Sequence, residues 1–208
     1  MIKNLLFDMG GVVFRQDTEE AFRRFREAGI AHVEDYMGKY GQKDFFLDIE
    51  TGKIGAEEFC HRMAQAAGRD SVSFEEAQYC WLGFFLDAPE ERLDNLVALR
   101  RDYHVCLLSN TNPFIMDFTR SPRFSASGRP ITDCFDTLFC SYEMGAYKPH
   151  RDIFEKALQT DGMQAGECVF LDDSSRNLET AAELGMHTVL VRSNEDWIPA
   201  LRKLLENN

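Results

Sequence analysis

A single aspartate near the N-terminus lies where a buried strand would end. Residues 5–7 form a short apolar run, and Asp8 follows it directly. Gly10 and Gly11 then let the backbone turn sharply and come close to a ligand. Because ligands of open α/β sheets bind outside the carboxyl ends of the strands, the Asp8 carboxylate could bind a metal ion or act as a nucleophile. The alternative is an aspartate that merely ends a strand.

Polar groups follow three further apolar segments that are typical of buried strands. These groups are Ser109 with Asn110, Lys148 a few residues beyond its segment, and Asp172 with Asp173. Because the carboxyl ends of parallel strands meet at one edge of a sheet, we expect all of them to gather around Asp8. Taken singly, each group has an ordinary structural explanation. Ser109 could cap a helix, and Lys148 could be a solvated loop lysine.

The adjacent carboxylates Asp172 and Asp173 could likewise form a plain loop. Placed beside Asp8, however, they would repel one another strongly unless a cation lay among them. Mg²⁺ suits such a place because it takes oxygen ligands, prefers octahedral geometry and keeps waters while it binds a substrate phosphate. The sequence therefore predicts a magnesium site.

The segments that must position these groups alternate between helix and strand from Pro89 onward. Buried strands are predicted at residues 103–108, 137–140, 168–171 and 187–191, in addition to the first apolar run. This alternation of helices and strands predicts a parallel sheet with right-handed crossovers and helices on both faces. The predicted fold class is α/β, with a three-layer Rossmann-like parallel sheet.

Residues 15–88 contain helical patterns and no predicted strand. Asp17 and Ser73, each followed by a glutamate three residues later, are typical helix N-caps. We interpret this stretch as a small helical cap domain inserted after strand one, and residues 1–14 and 89–208 as the core domain. The aromatic residues expected in the cap interior are Phe22, Phe25, Phe45 and Phe46. The residues that could line the mouth of the site are Arg15, Asp17, His32, Trp81 and Phe84.

Composition argues against several kinds of partner. The 208 residues, 44% of them hydrophobic, describe a globular chain long enough for one core and a small inserted module. A net charge of −12 without Lys/Arg clusters argues against nucleic acid, whereas a divalent cation would still allow a small phosphorylated metabolite to bind. No apolar run approaches the roughly 20 residues that a bilayer requires, and the N-terminus lacks a signal-peptide pattern. Six cysteines without C-x-x-C pairing favour reduced thiols and a cytoplasmic protein.

The polar strand ends resemble the four motifs of the haloacid dehalogenase (HAD) superfamily. The matching spans are residues 7–12, 107–111, 148–149 and 170–173, with Asn177 beyond the last. The insertion after the first motif is similar to the caps of subfamily IA. The chain also resembles the bacterial sugar-phosphate phosphatases of this superfamily, the α-D-glucose-1-phosphate phosphatases among them. The resemblance implies a Mg²⁺-dependent phosphatase that hydrolyses small phosphomonoesters, sugar phosphates above all, through an aspartyl-phosphate intermediate.

The resemblance also implies a role for each matching residue. Asp8 would be the nucleophile. Ser109 and the backbone amide of Asn110 would hold the transferring phosphoryl group. Lys148 would neutralise charge on the phosphate and on Asp8. The implied Mg²⁺ ligands are Asp8, the backbone carbonyl of Gly10, Asp173, and Asp172 either directly or through water.

One position departs from the superfamily pattern. Most of its phosphatases have a second aspartate where this chain has Gly10, and that aspartate protonates the leaving oxygen and later activates water. General acid–base help is typically worth about 10² to 10⁴ in rate. Three explanations stay open: a substrate with a good leaving group, such as an anomeric sugar phosphate; a cap residue or water that takes over; or a protein kept for binding. The glucose-1-phosphate phosphatases share this glycine, which favours the first.

Two other functions compete with the phosphatase prediction. A haloacid dehalogenase also uses an aspartate nucleophile and lacks the second aspartate, but it needs no metal, so the pair Asp172-Asp173 counts against it. A catalytically weak phosphometabolite-binding protein would use the same pocket without turnover. The intact Asp8, Lys148 and acidic pair argue against that second alternative.

Overall fold

A sheet of five parallel strands forms the centre of the computed structural model, which describes residues 1–38 and 41–206. The strands of the chain are β1 Asn4–Phe7, β2 Arg15–Gln16, β3 Met37–Gly38, β4 Gly41–Gln42, β5 Phe85–Asp87, β6 His104–Ser109, β7 Thr137–Cys140, β8 Cys168–Asp172 and β9 His187–Leu190. The α-helices are α1 Thr18–Glu27, α2 Val33–Tyr36, α3 Asp44–Glu50, α4 Ala56–Ala66, α5 Phe74–Trp81, α6 Glu90–Leu99, α7 Pro113–Thr119, α8 Ser141–Met144, α9 Arg151–Thr160, α10 Ser175–Glu183 and α11 Ile198–Glu206. Within the described ranges, no helix is both long enough and apolar enough to cross a membrane. The central sheet has the order β7-β6-β1-β8-β9, which confirms the predicted α/β class.

Strand β1 lies in the middle of the sheet because both of its faces are apolar. Leu5 and Phe7 belong to one buried cluster, and Leu6 belongs to the cluster on the other face. Helices α6 and α11 contribute buried side chains to the first cluster, whereas α9 and α10 contribute to the second. A parallel strand covered on both faces reads as a continuous apolar run, as residues 5–7 do. Asp8 therefore leaves the sheet between the ends of β6 and β8, its neighbouring strands.

The expectation of no strand between residues 15 and 88 was wrong. β2 pairs with β5 and β3 pairs with β4, both in the antiparallel sense. These strands have only two or three residues each, too few to show the alternation by which a strand is recognised in a sequence. β2 and β5 meet because the chain leaves and re-enters the region of the central sheet along adjacent paths. The division into a core of residues 1–14 and 89–208 and a cap of residues 15–88 stays a prediction.

Helices α1 to α5 surround an aromatic interior. Phe25, Phe46 and Trp81 have ring centroids 5.1–5.5 Å apart, and Phe59 lies 5.3 Å from Phe46. Edge-to-face aromatic contacts of this kind stabilise beyond the burial of area alone. Phe45 is buried in the same cluster and Phe22 is partly buried against it, so the predicted aromatic interior is confirmed. Both predicted N-caps are confirmed as well, one before α1 and one before α5.

The end of α3 is fixed against the region around the central sheet. The Ser141 hydroxyl lies 2.6 Å from the Glu50 carbonyl oxygen and accepts a 2.9 Å hydrogen bond from the Thr111 amide. Two residues beyond α3, Gly52 has φ +71°, and a Cβ there would lie 2.1 Å from the Tyr142 carbonyl oxygen. Only glycine allows so close an approach. These contacts hold Glu50 over the carboxyl edge of the sheet.

Candidate active site

A buried lysine joins the ends of two neighbouring strands. The Lys148 side chain is 1% exposed, and its Nζ donates to Asp8 Oδ1 at 2.8 Å and to Asp172 Oδ2 at 2.7 Å. Charge-assisted hydrogen bonds of this length are among the strong ones in proteins. The two carboxylates hold the pKa of Lys148 above its usual value in spite of burial, which by itself lowers it. The ammonium is therefore a fixed positive charge beside Asp8.

The Asp172 carboxylate is occupied by protein donors. Besides Lys148, it accepts from the Ser174 amide at 2.7 Å and from Asn177 Nδ2 at 3.1 and 3.0 Å, and the residue is fully buried. A carboxylate has about four acceptor positions, so little of this one remains for a metal ion. The geometry favours Asp172 as the residue that positions Lys148.

Asn110 fixes the backbone of Lys148 through a reciprocal pair of hydrogen bonds. Asn110 Nδ2 donates to the Lys148 carbonyl at 2.9 Å, and the Lys148 amide donates to Asn110 Oδ1 at 2.8 Å. The Asn110 side chain is thus used within the protein, which leaves its backbone amide as the group that could bind a phosphate. Ser109 precedes it at the end of β6, is buried, and lines the same pocket as Asp8. The structure therefore brings Asp8, Ser109, Asn110 and Lys148 together as predicted.

Three carboxylates face this single ammonium, and the excess of negative charge marks a place for a cation. One oxygen each of Asp8, Asp172 and Asp173 lies within 4.8 Å of the others. Burial, opposed by Lys148 and reinforced by the two other carboxylates, raises the pKa of Asp8 to about 7. Burial also raises the pKa of Asp173. Oxygen ligands with an uncompensated charge fit Mg²⁺, and Gly10 lines the same pocket.

A glutamine occupies the space beside Gly10. A Cβ at position 10 would lie 2.8 Å from Gln16 Oε1, and Gln16 Nε2 lies 3.4 Å from Asp173 Oδ2. The same side-chain nitrogen, Gln16 Nε2, also donates to Ser193 Oγ at 3.1 Å. The Gln16 side chain therefore occupies the space into which a carboxylate side chain at position 10 would extend. Glutamine donates and accepts hydrogen bonds but does not transfer protons near neutral pH.

The pocket above Asp8 has a cavity volume of about 200 Å³. Of the five residues suggested for its mouth, Trp81 and Phe84 line it, whereas Arg15, Asp17 and His32 do not. Sequence reasoning missed several polar lining residues, namely Gln16, Gln42, Glu50, Thr111 and Asn112. Thr111 is the last residue of the matching span 107–111 and Asn112 follows it, so both could have been found from that position. No local pattern marks Gln16, Gln42 or Glu50.

Glu50 is the unexpected charged group of this pocket. The residue is 4% exposed, and burial raises the pKa of its carboxyl to about 7. The Asn112 amide and the Tyr147 hydroxyl lower this pKa in part, while the charge of Asp8 adds to the rise. Neither neighbour makes a hydrogen bond of ordinary geometry to Oε2, which has no partner among the described residues.

Comparisons with known proteins agree with this geometry. The family model of haloacid dehalogenase-like hydrolases matches residues 2–185. The chain is 38% identical over 207 residues to D-ribitol-5-phosphate phosphatase of Bacteroides thetaiotaomicron, with all of both proteins aligned. The chain belongs to the haloacid dehalogenase-like hydrolases. The predicted superfamily membership is confirmed.

Two solved structures of HAD hydrolases superpose on the whole fold. A HAD-like family hydrolase from Porphyromonas gingivalis gives a TM-score of 0.94 at 39% identity, with all of both chains covered. A HAD family enzyme from Bacteroides thetaiotaomicron, crystallised with magnesium and inorganic phosphate, gives a TM-score of 0.87 at 34% identity, covering 97% of this chain and all of that one. The architecture found here is therefore that of HAD hydrolases from end to end.

A substitution at Gly11 tests the predicted metal site. Its φ is +75°, and a Cβ there would lie 2.5 Å from Ser193 Oγ and 2.6 Å from Asp173 Oδ2. We expect Gly11→Ala to cost about 1–2 kcal/mol in backbone strain and to lower Mg²⁺ affinity at least about tenfold, because Asp173 must move. Calorimetric titration with Mg²⁺ measures the affinity. The matched control is Gly162→Ala, since Gly162 has φ +62° and no atom of the described residues near its Cβ. Equal Mg²⁺ affinity in the two variants would contradict a metal site at Asp173.

The raised pKa of Glu50 predicts a pH-dependent stability. A carboxyl whose pKa rises from 4.5 to about 7 on folding binds more protons in the native state, so its unfavourable contribution grows as pH rises between those values. Relative to the wild type, Glu50→Gln should therefore gain about 3 kcal/mol in unfolding free energy from pH 4.5 to pH 8. Urea unfolding in EDTA measures this difference. Glu57→Gln removes an exposed carboxylate of α4 as the control, and a difference for Glu50→Gln that stays constant with pH would refute the prediction.

Proposed function

We propose that this HAD hydrolase is a Mg²⁺-dependent phosphatase that hydrolyses small phosphomonoesters of the sugar or polyol phosphate class. The observation that carries the proposal is the buried Lys148 bridge, which places a fixed ammonium against the Asp8 carboxylate beside an acidic pair. The full-length similarity to D-ribitol-5-phosphate phosphatase supports the substrate class. The related enzyme crystallised with magnesium and phosphate supports the metal.

The site residues supply the parts of an in-line phosphoryl transfer. Asp8 attacks phosphorus, and the bond from phosphorus to the ester oxygen breaks, so that the alcohol leaves and an aspartyl-phosphate forms. Water then attacks the phosphorus, releases inorganic phosphate and restores the Asp8 carboxylate. Ser109, the Asn110 amide and Lys148 hold the phosphoryl oxygens throughout, which stabilises charge as it develops.

The metal and its ligands belong to the same proposal. Asp8, the Gly10 carbonyl and Asp173 would hold Mg²⁺ directly, with Asp172 in contact through water. Bound there, the ion would neutralise phosphate charge that the single ammonium of Lys148 leaves uncompensated. The acidic pair also favours a phosphatase over the dehalogenase alternative, because a metal-free site gains nothing from two further carboxylates.

The leaving alcohol must obtain its proton from outside position 10. Gly10 has no side chain, and the neighbouring Gln16 cannot donate a proton as an acid. Water that enters the pocket is the simplest source. We infer that leaving-group quality limits turnover, as the sequence suggested for an anomeric sugar phosphate.

We extend the proposal to the setting of the protein. All six cysteines, each among the described residues, have free and buried thiols, which supports a cytoplasmic location. The net charge of −12 argues against nucleic acid, whereas bound Mg²⁺ would supply the local positive charge that a small phosphorylated metabolite needs.

Phosphate release tests the proposed reaction. Wild-type protein should release phosphate from sugar and polyol monophosphates with Mg²⁺ and lose this activity in EDTA. Asp8→Asn should reduce release by at least about 10³-fold, because an amide is a poor nucleophile. Binding of inorganic phosphate by Asp8→Asn in Mg²⁺ serves as the control for an intact pocket. Release that continues in EDTA, or in Asp8→Asn, would exclude the proposed mechanism.

A carboxylate at position 10 tests whether the missing acid limits turnover. Because Gln16 occupies the space that the new side chain needs, we expect Gly10→Asp alone to gain little and Gly10→Asp with Gln16→Ala to gain more. The double variant should hydrolyse alkyl phosphates at least about tenfold faster, within the range that general acid catalysis supplies. The control is Gln16→Ala alone. Unchanged turnover of alkyl phosphates in the double variant would show that proton transfer is not the limit.

A further inference from the structure

Four buried polar atoms without partners are concentrated in one pocket. The atoms are Glu50 Oε2, Trp81 Nε1, Thr111 Oγ1 and Asn112 Nδ2, and none has a hydrogen-bond partner among the described residues. All four residues line the cavity above Asp8. Buried polar groups are almost always satisfied in native proteins, since leaving one unpaired destabilises the fold. Four together at a ligand pocket indicate that a ligand completes their hydrogen bonds.

The surrounding structure fixes the direction of the Asn112 amide. Asn112 Oδ1 accepts from the Phe114 amide at 3.1 Å and from the Ile115 amide at 3.2 Å, as the N-cap of α7. Because the oxygen must face these donors, Nδ2 is the atom left for the pocket.

The Ser141 hydroxyl fixes the backbones of two more of these four residues, Thr111 and Glu50. Ser141 Oγ accepts from the Thr111 amide and lies 2.6 Å from the Glu50 carbonyl oxygen. Ser141 itself is fully buried. These contacts fix the backbone of Glu50, at the end of α3, to the backbone of Thr111, in the loop after β6. The backbones that carry these two side chains are therefore positioned before any ligand arrives, which lowers the entropic cost of binding.

The four atoms complement hydroxyl groups. Trp81 Nε1 and Asn112 Nδ2 only donate, the Glu50 carboxylate accepts, and the Thr111 hydroxyl can do both. A hydroxyl donates one hydrogen bond and accepts others, so adjacent hydroxyls on one carbon chain can satisfy the whole set. An alkyl chain offers none of these atoms a hydrogen-bond partner.

We propose that Glu50, Trp81, Thr111 and Asn112 form a hydroxyl-binding subsite that selects the monophosphate of a polyhydroxylated carbon chain. This inference rests on the proposed function, because Asp8 and Lys148 must hold the phosphate end for the chain to reach the subsite. Glu50 is its specificity-determining residue. The subsite also accounts for a charged side chain that α3 buries together with Phe45, Phe46 and Ile49.

Three substrates separate recognition of hydroxyls from protonation of the leaving group. Ribitol 5-phosphate has hydroxyls and a poor leaving group, n-pentyl phosphate has a similarly poor primary-alcohol leaving group without hydroxyls, and p-nitrophenyl phosphate has a good leaving group. In wild-type protein with Mg²⁺, kcat/KM should favour ribitol 5-phosphate over n-pentyl phosphate. Glu50→Gln should lower this preference about 10- to 100-fold, the effect of one hydrogen bond to a buried charge. Thr111→Val, which keeps the side-chain shape, should lower it about three- to tenfold.

The controls distinguish the possible failures. Glu57→Gln, at an exposed position of α4, should keep the wild-type preference. If Glu50→Gln lowers kcat/KM for ribitol and pentyl phosphates equally, relative to p-nitrophenyl phosphate, then Glu50 serves the leaving group and the subsite is refuted while the phosphatase proposal stands. A wild type that hydrolyses all three substrates without preference for ribitol 5-phosphate refutes the subsite as well. A wild type that hydrolyses none of them refutes the phosphatase proposal itself.

Discussion

The buried Lys148 ammonium is the interaction on which the site depends. A charge taken out of water is costly unless good hydrogen bonds compensate it, and here Asp8 and Asp172 both do so. This requires β1 and β8 to be neighbours that end at the same level, as they do in the central sheet. It also requires the Lys148 backbone to be held at the correct height, which Asn110 achieves from the end of β6. Three strands are thus tied together by one residue, two of them through its side chain and the third through its backbone.

That same interaction leaves the site with an excess of negative charge. Lys148 compensates the charge of two carboxylates only in part, and Asp173 adds a third. Without a cation, the protein tolerates this by a raised pKa at Asp8. A divalent ion and a phosphate together would supply what is missing, since the ion compensates the carboxylates and allows the anion to approach. The electrostatics therefore favour binding metal and phosphate as a pair.

The groups contributed from residues 15–88 decide what surrounds the phosphate. Gln16 fills the space into which a side chain at position 10 would extend, and Glu50 and Trp81 add buried polar atoms that have no partner among the described residues. The chemistry at phosphorus thus belongs to the strand ends, whereas the proposed recognition of the rest of the molecule combines Glu50 and Trp81 with Thr111 and Asn112 beyond β6. A site that has no general acid at position 10 but binds substrate hydroxyl groups is consistent with an enzyme whose selectivity comes from substrate binding.

The sequence by itself determined the parallel sheet, Asp8 and its partners at the strand ends, and the magnesium site as a prediction. It could do so because a buried strand leaves a continuous apolar run, and because Asp8, Ser109 and the pair Asp172-Asp173 follow such runs directly, with Lys148 a few residues beyond its own. The tertiary structure alone decided the roles of Gln16 and Glu50, and the saturation of Asp172 by four hydrogen bonds. Gln16 lies in a strand of two residues and Glu50 at the end of a short helix, so neither has a local pattern that sets it apart. Their significance comes from long-range contacts, which depend on how the segments pack and not on the residues adjacent in the chain.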